Sequence, residues 1–178
     1  MSARFISAVV LLTAFCEVLS CYDGREKPPK EFSVCDLMRN LKSQRNKMVR
    51  VRGELYHSRE AVALGTPECN TPFITRGRRW PTAVDLVFSV AERSDSEEPP
   101  APFVTESSTI ARMSAAVTDL ERSGCKRKVT LVLTGFLRVR RTYVKMGNGR
   151  GNGYGFLASY PAQLVIRTVD DVKVEPCH

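Results

Sequence analysis

Apolar and polar residues alternate along several short stretches of this chain and switch to helical spacing in two others. The first helical stretch begins at Ser33. A serine before Val34, with Asp36 three positions on, is a box-like N-cap, and Phe32 ahead of it can staple against Leu37. This predicts a helix over Val34–Leu41. Lys47 to His57 then alternates strictly: Val49, Val51, Leu55 and His57 on one face, Arg50, Arg52, Glu54 and Tyr56 on the other. That is a half-buried strand, with Gly53 marking a bulge or a sharp coil. A second strand is expected over Glu60–Leu64, closed by Gly65-Thr66-Pro67, and a third over Thr82–Val90. Glu92–Pro102 is too polar and proline-rich to pack and reads as an exposed loop. The period changes again over Thr105–Arg122, where Ile110, Met113, Val117 and Leu120 share a helical face and Gly124 stands at the C-cap. The longest strand lies within Lys128–Val144, and the last covers Gln163–Val169 with an extension to Val174 left open.

Helix, three strands, helix, two strands is the element order of an OB-fold-like, five-stranded small barrel, mainly β with two helices in an α+β arrangement. Other small β-barrels with a helical insertion share this order. The pattern fits one domain over residues 32–178. Strands four and five pair antiparallel in such a barrel. Cys125 precedes the former and Cys177 follows the latter, so the fold predicts a Cys125–Cys177 bridge and leaves Cys35–Cys69 as the second.

Residues 1–21 stand apart from this domain. Arg4, the apolar run Phe5–Phe15 and Ser20 before Cys21 have the layout of an export signal. Val18-Leu19-Ser20-Cys21 also loosely fits a lipoprotein signal, so Cys21 is either the first residue after a simple cut or a lipidation site. Residues 22–31, with Pro28-Pro29 and mixed charge, read as a linker. Export to a periplasmic or extracellular compartment favours disulfides over free thiols. Zinc is disfavoured by spacing: the four cysteines are separated by 34, 56 and 52 positions, and the histidines are His57 and His178.

Lys and Arg number 27 against 19 Asp and Glu, a formal charge of +8. Outside the cytoplasm, nucleic acid is a poor candidate partner. Anionic polysaccharide, lipid headgroups or an acidic protein surface fit better, and a membrane only through a lipid anchor at Cys21. Strand alternation puts Arg50 and Arg52 on one face of strand one and Arg138 and Arg140 on the outer face of strand four. Those strands are antiparallel neighbours in an OB barrel. One cluster of four arginines beside the glycine loop Gly147–Gly155 is therefore predicted, with Arg141 and Arg150 near. Arginine's fork suits carboxylate, phosphate or sulfate. The plainer alternative is a solvated sheet face partly neutralised by Glu54. Arg76, Arg78, Arg79 and Trp80 form a second basic-aromatic group, in which Trp80 either stacks on a ligand or caps the core. The loop GNGRGNGYG joins two predicted strands and lacks a following helix or a Gly-Lys-Ser/Thr end, so it reads as a connection and not a nucleotide cradle.

Catalysis has little support. There is no Gly-x-Ser-x-Gly elbow and no His-Glu-x-x-His motif, and Asp170 and Asp171 should point to opposite faces of their strand. No cofactor or metal is called for. Two segments resemble a group of uncharacterised bacterial exported proteins with OB-like domains: Ser33–Met38 continuing through Val49–Gly53, and Gly153–Val165, together with Pro67-Glu68-Cys69. In that group a histidine often follows the Gly-aromatic-Gly element; here the place holds Phe156, so no histidine-dependent role carries over. The resemblance implies an exported β-barrel and supplies no activity. The expectation is a non-enzymatic exported binding domain, with a small envelope-modifying hydrolase or a purely structural module as alternatives.

Overall fold

A computed structural model describes residues 29–69, 73–75, 78–88, 103–121, 127–140 and 152–176. Residues 1–21, where an export signal is expected, with Cys21, most of the expected linker, the 92–102 insertion, Gly124, Cys125, Cys177, Arg76, Arg141 and Arg150, lie outside the described residues. The elements are β1 (Glu31–Ser33), α1 (Val34–Gln44), β2 (Lys47–His57), β3 (Val62–Gly65), β4 (Ile74–Thr75), β5 (Arg78–Arg79), β6 (Ala83–Val87), α2 (Ser107–Glu121), β7 (Val129–Val139) and β8 (Ala162–Val174).

Five strands close on themselves in the order β2-β3-β6-β8-β7, with β7 returning to β2. All neighbours are antiparallel except β6 and β8, which run parallel. A closed five-stranded barrel with two helices is consistent with an OB-like small barrel. Its interior is filled by alternate residues of every strand, among them Val49, Val51, Leu64, Leu131, Leu133, Leu137, Leu164 and Ile166. Helix α1 lays Val34, Leu37, Met38 and Leu41 on this core. It starts as the sequence dictates: the Asp36 backbone N–H donates to the Ser33 hydroxyl oxygen at 3.1 Å, and that hydroxyl donates to the Asp36 carboxylate at 2.7 Å.

Gly53 marks no bulge. It stays in register with Leu131, and the irregularities fall instead between β7 and β8, at Val132/Leu133 and Thr134/Gly135. A Cβ at Gly53 would lie 2.7 Å from both the Val34 and Leu64 side chains. The glycine lets α1 and β3 approach β2 together. Strand β1 was not foreseen. It pairs parallel with β2, setting Glu31 beside Arg50 and Ser33 beside Arg52, so Ser33 ends a strand and caps a helix at once. The hairpin β4–β5 was also unforeseen, because two-residue strands carry no periodicity.

Helix α2 departs from its predicted face. Thr109, Met113 and Ala116 are buried, Val117 and Leu120 are half-buried, and Ile110 is exposed. The cause lies on β8. Strand β6 pairs with β8 only over Gln163–Val165, leaving the carbonyls beyond without a strand partner on that edge. The segment into α2 covers them. The Thr105 hydroxyl lies within hydrogen-bond distance of the carbonyls of Ile166 and Phe88 (2.8 and 2.9 Å), and the Glu106 N–H and Thr109 hydroxyl both donate to Arg167 O at 3.1 Å. The Arg112 guanidinium donates to Val169 O and to Asp170 O. Satisfying an open strand edge fixes the helix rotation ahead of burying Ile110.

Cys35, in the first turn of α1, is disulfide-bonded to Cys69 in the loop after β3, as predicted. The β7–β8 ladder runs to Val129↔Val174 and on to a Glu175 N–H donating to Lys128 O at 2.9 Å, which brings the chain flanking Cys125 and Cys177 together. Among the described residues no helix is long and apolar enough to cross a membrane.

Candidate functional site

One row of residues crosses the barrel wall in register: Tyr56 opposite Ala63, Ala63 opposite Asp85, Asp85 beside Gln163, Gln163 opposite Arg138. Their neighbours Val84, Leu86, Leu164 and Leu137 face the core, so by alternation this row faces outward. Even so, Asp85, Gln163 and Arg138 are buried, Arg138 to 4% exposure. They form a relay: Arg138 Nη1 donates to Gln163 Oε1 at 2.8 Å, and Gln163 Nε2 donates to Asp85 Oδ2 at 2.7 Å. A buried cation and a buried anion joined through one amide compensate each other at low local dielectric.

What covers the relay is the end of the glycine-rich connection between β7 and β8. Tyr154 and Tyr160 exchange backbone hydrogen bonds of 2.7 and 3.0 Å, pinching off a loop of residues 155–159. Gly155, at φ 68°, sits directly on Asp85; a Cβ there would come within 2.8 Å of the carboxyl carbon. The buried Tyr154 ring takes two guanidinium groups, Arg140 at 4.6 Å and Arg138 at 5.6 Å from its centroid. Within the loop, Leu157 and Ala158 both hold left-handed backbone at φ 52° and 53°, at a cost of about 1–2 kcal/mol each for residues bearing a Cβ. Hydrogen bonds from Ala158 N–H to Gly155 O (3.0 Å) and from Ser159 N–H to Phe156 O (3.1 Å) hold that turn. Phe156 and Leu157 point out of it, 42% and 47% exposed.

The four arginines do not form the single cluster that alternation predicted. Arg50 pairs with Glu31 (3.4 Å) and Asp170 (3.3 Å), and Arg52 with Glu31 (2.7 Å). Asp170 also accepts from the Thr134 and Thr168 hydroxyls at 2.7 and 2.6 Å. Arg138 and Arg140 belong to the Tyr154 stack farther along β7, past the buried Phe136. Carboxylates contributed by the unforeseen β1 and by the β8 bulge neutralise one pair, and the folded-back loop buries the other in part. Arg138 is therefore a buried structural cation and not part of an open face. Trp80 is 2% exposed, which withdraws its ring from any ligand and gives it the core role. His57 ends β2 with Nδ1 2.9 Å from the Glu121 carboxylate. Among the described residues no group of three or more His, Cys, Asp or Glu is placed to hold a metal.

Asp85, Gln163, Tyr154 and Tyr160 escaped the sequence reading. The available signal was Asp85 itself, an acid inside the apolar run Ala83–Val87, and the Gly153-Tyr154-Gly155 element, whose glycines permit close packing. Compared with known proteins, the chain matches no family model, no curated protein and no solved structure.

Burial, followed by the charge of Asp85, raises the Tyr160 phenol above the ordinary tyrosine value. Tyr56 is raised in the same direction by burial and then Glu54. A phenol raised in the fold contributes fully below its unfolded value of about 10, and that contribution is lost as pH climbs through the folded value. Urea titrations between pH 8 and 11 should show stability falling above about pH 10, and falling less steeply in Tyr160→Phe. Identical slopes for the two proteins would show that the fold does not raise the Tyr160 phenol.

Proposed function

We propose that this is a non-enzymatic, exported OB-like binding domain that engages an anionic envelope surface through its glycine-rich β7–β8 connection. The observation carrying this reading is Arg140 stacked on Tyr154 at the mouth of that connection, in a chain of formal charge +8. The corresponding strand 4–5 loop is a recurrent ligand-contacting element of OB barrels. The outward acids that balance Arg50 and Arg52 leave that side of the barrel the weaker candidate. The Cys35–Cys69 bridge is compatible with an oxidising compartment, and the proposed export rests on the layout of residues 1–21.

Retention on a heparin column tests the reading. The protein should be retained and eluted by salt, since contacts between exposed charges are screened as ionic strength rises. Arg140→Gln should elute at clearly lower salt, and Arg52→Gln should elute with the wild type. An unchanged elution point for Arg140→Gln would count against the assigned face.

A further inference from the structure

Single exposed apolar residues are ordinary on a protein surface, and Ile74, Val104, Ile110 and Val174 are of that kind. Phe156 and Leu157 differ in three respects. They are adjacent, and both are large and about half exposed. They ride on backbone that neither a leucine nor an alanine adopts readily, with positive φ at Leu157 and Ala158. Their loop is clamped at the neck by the Tyr154–Tyr160 pair and seated through Gly155 on the buried Asp85. An unclamped loop of this length could turn its leucine inward. This one is fixed in the shape that keeps both apolar side chains out.

An arginine stands at the neck of the loop: Arg140 lies over the Tyr154 ring, 4.6 Å from its centroid, and the whole chain carries a formal +8. An apolar tip above a basic collar matches the layered chemistry of an anionic bilayer, where phosphates lie at the surface and acyl chains begin a few ångströms beneath. A protein partner would have to supply a pocket shaped for both side chains, whereas a bilayer accepts any rigid apolar protrusion.

We propose that loop 155–159 is an interfacial wedge: Phe156 and Leu157 enter the headgroup–acyl boundary of an anionic bilayer while Arg140 meets the phosphates above them. This rests on the glycine-rich connection being the contact face, and it names lipid as the surface contacted.

Co-sedimentation of the purified protein with vesicles tests it, using phosphatidylcholine alone and phosphatidylcholine mixed equally with phosphatidylglycerol. The protein should pellet with the mixed vesicles and far less with phosphatidylcholine alone. The double variant Phe156→Ser/Leu157→Ser should bind the mixed vesicles at least about ten-fold more weakly, about 1.4 kcal/mol, with heparin retention unchanged. Phe156→Trp, which keeps an apolar tip, should retain binding. Urea midpoints matching the wild type would show that the variants stay folded. Equal vesicle binding by the double serine variant overturns the wedge while leaving the charge-based reading intact. Heparin retention with no vesicle binding also overturns it, in favour of a polysaccharide. Binding to neither overturns both.

Discussion

Asp85→Ala is expected to lower the free energy of unfolding by about 3–5 kcal/mol, the cost typical of stripping one member from a buried charge pair. The relay explains the size. Without the carboxylate, the Gln163 amide loses the acceptor it holds at 2.7 Å, and Arg138 remains buried without its compensating anion. Asp85→Asn keeps the shape and should cost less. The companion change Arg138→Met should recover part of the loss in the double variant Asp85→Ala/Arg138→Met, because removing both charges is milder than orphaning one. Urea unfolding of the single and double variants measures this directly. A loss below about 1 kcal/mol for Asp85→Ala would show that the relay carries little of the stability.

Replacing Cys35 and Cys69 together by alanine is expected to cost roughly 3–4 kcal/mol. The bridge closes a chain separation of 34 residues, and the loop-entropy relation gives a value in that range. The effect acts mainly on the unfolded chain, so the barrel should remain recognisable by circular dichroism while its urea midpoint falls. Equal midpoints for the variant and the oxidised wild type would refute the stabilising role. Non-reducing peptide mapping of the wild type should recover Cys35 with Cys69, and Cys125 with Cys177. The second pair is expected because the β7–β8 ladder continues to Lys128 and Glu175, close in sequence to both cysteines.

Where alternation was long, sequence and structure agree. Strand β2 spans the predicted Lys47–His57 residue for residue, and β7 occupies the predicted region with Leu131, Leu133 and Leu137 inward. The Ser33 cap was legible because capping is local chemistry. What stayed hidden was decided by contacts distant in sequence. Arg138 looks like any outward strand residue until the loop at Tyr154 covers it. Glu31 reads as linker until β1 pairs with β2 and brings it to Arg50 and Arg52. The rotation of α2 followed from β6 being shorter than β8 and pairing with it over Gln163–Val165 only, a fact about sheet pairing that no helical period records.

The fastening of Thr105 has a practical side. Its hydroxyl sits between the carbonyls of Phe88 and Ile166, so the two ends of the chain that frame residues 89–102 are moored to one point on the barrel. Doubling the length of a loop whose ends are already held together costs only about 0.6 kcal/mol. A fluorescent domain or an epitope spliced between residues 89 and 102 would therefore burden the fold little. That makes this junction a natural place to attach a reporter.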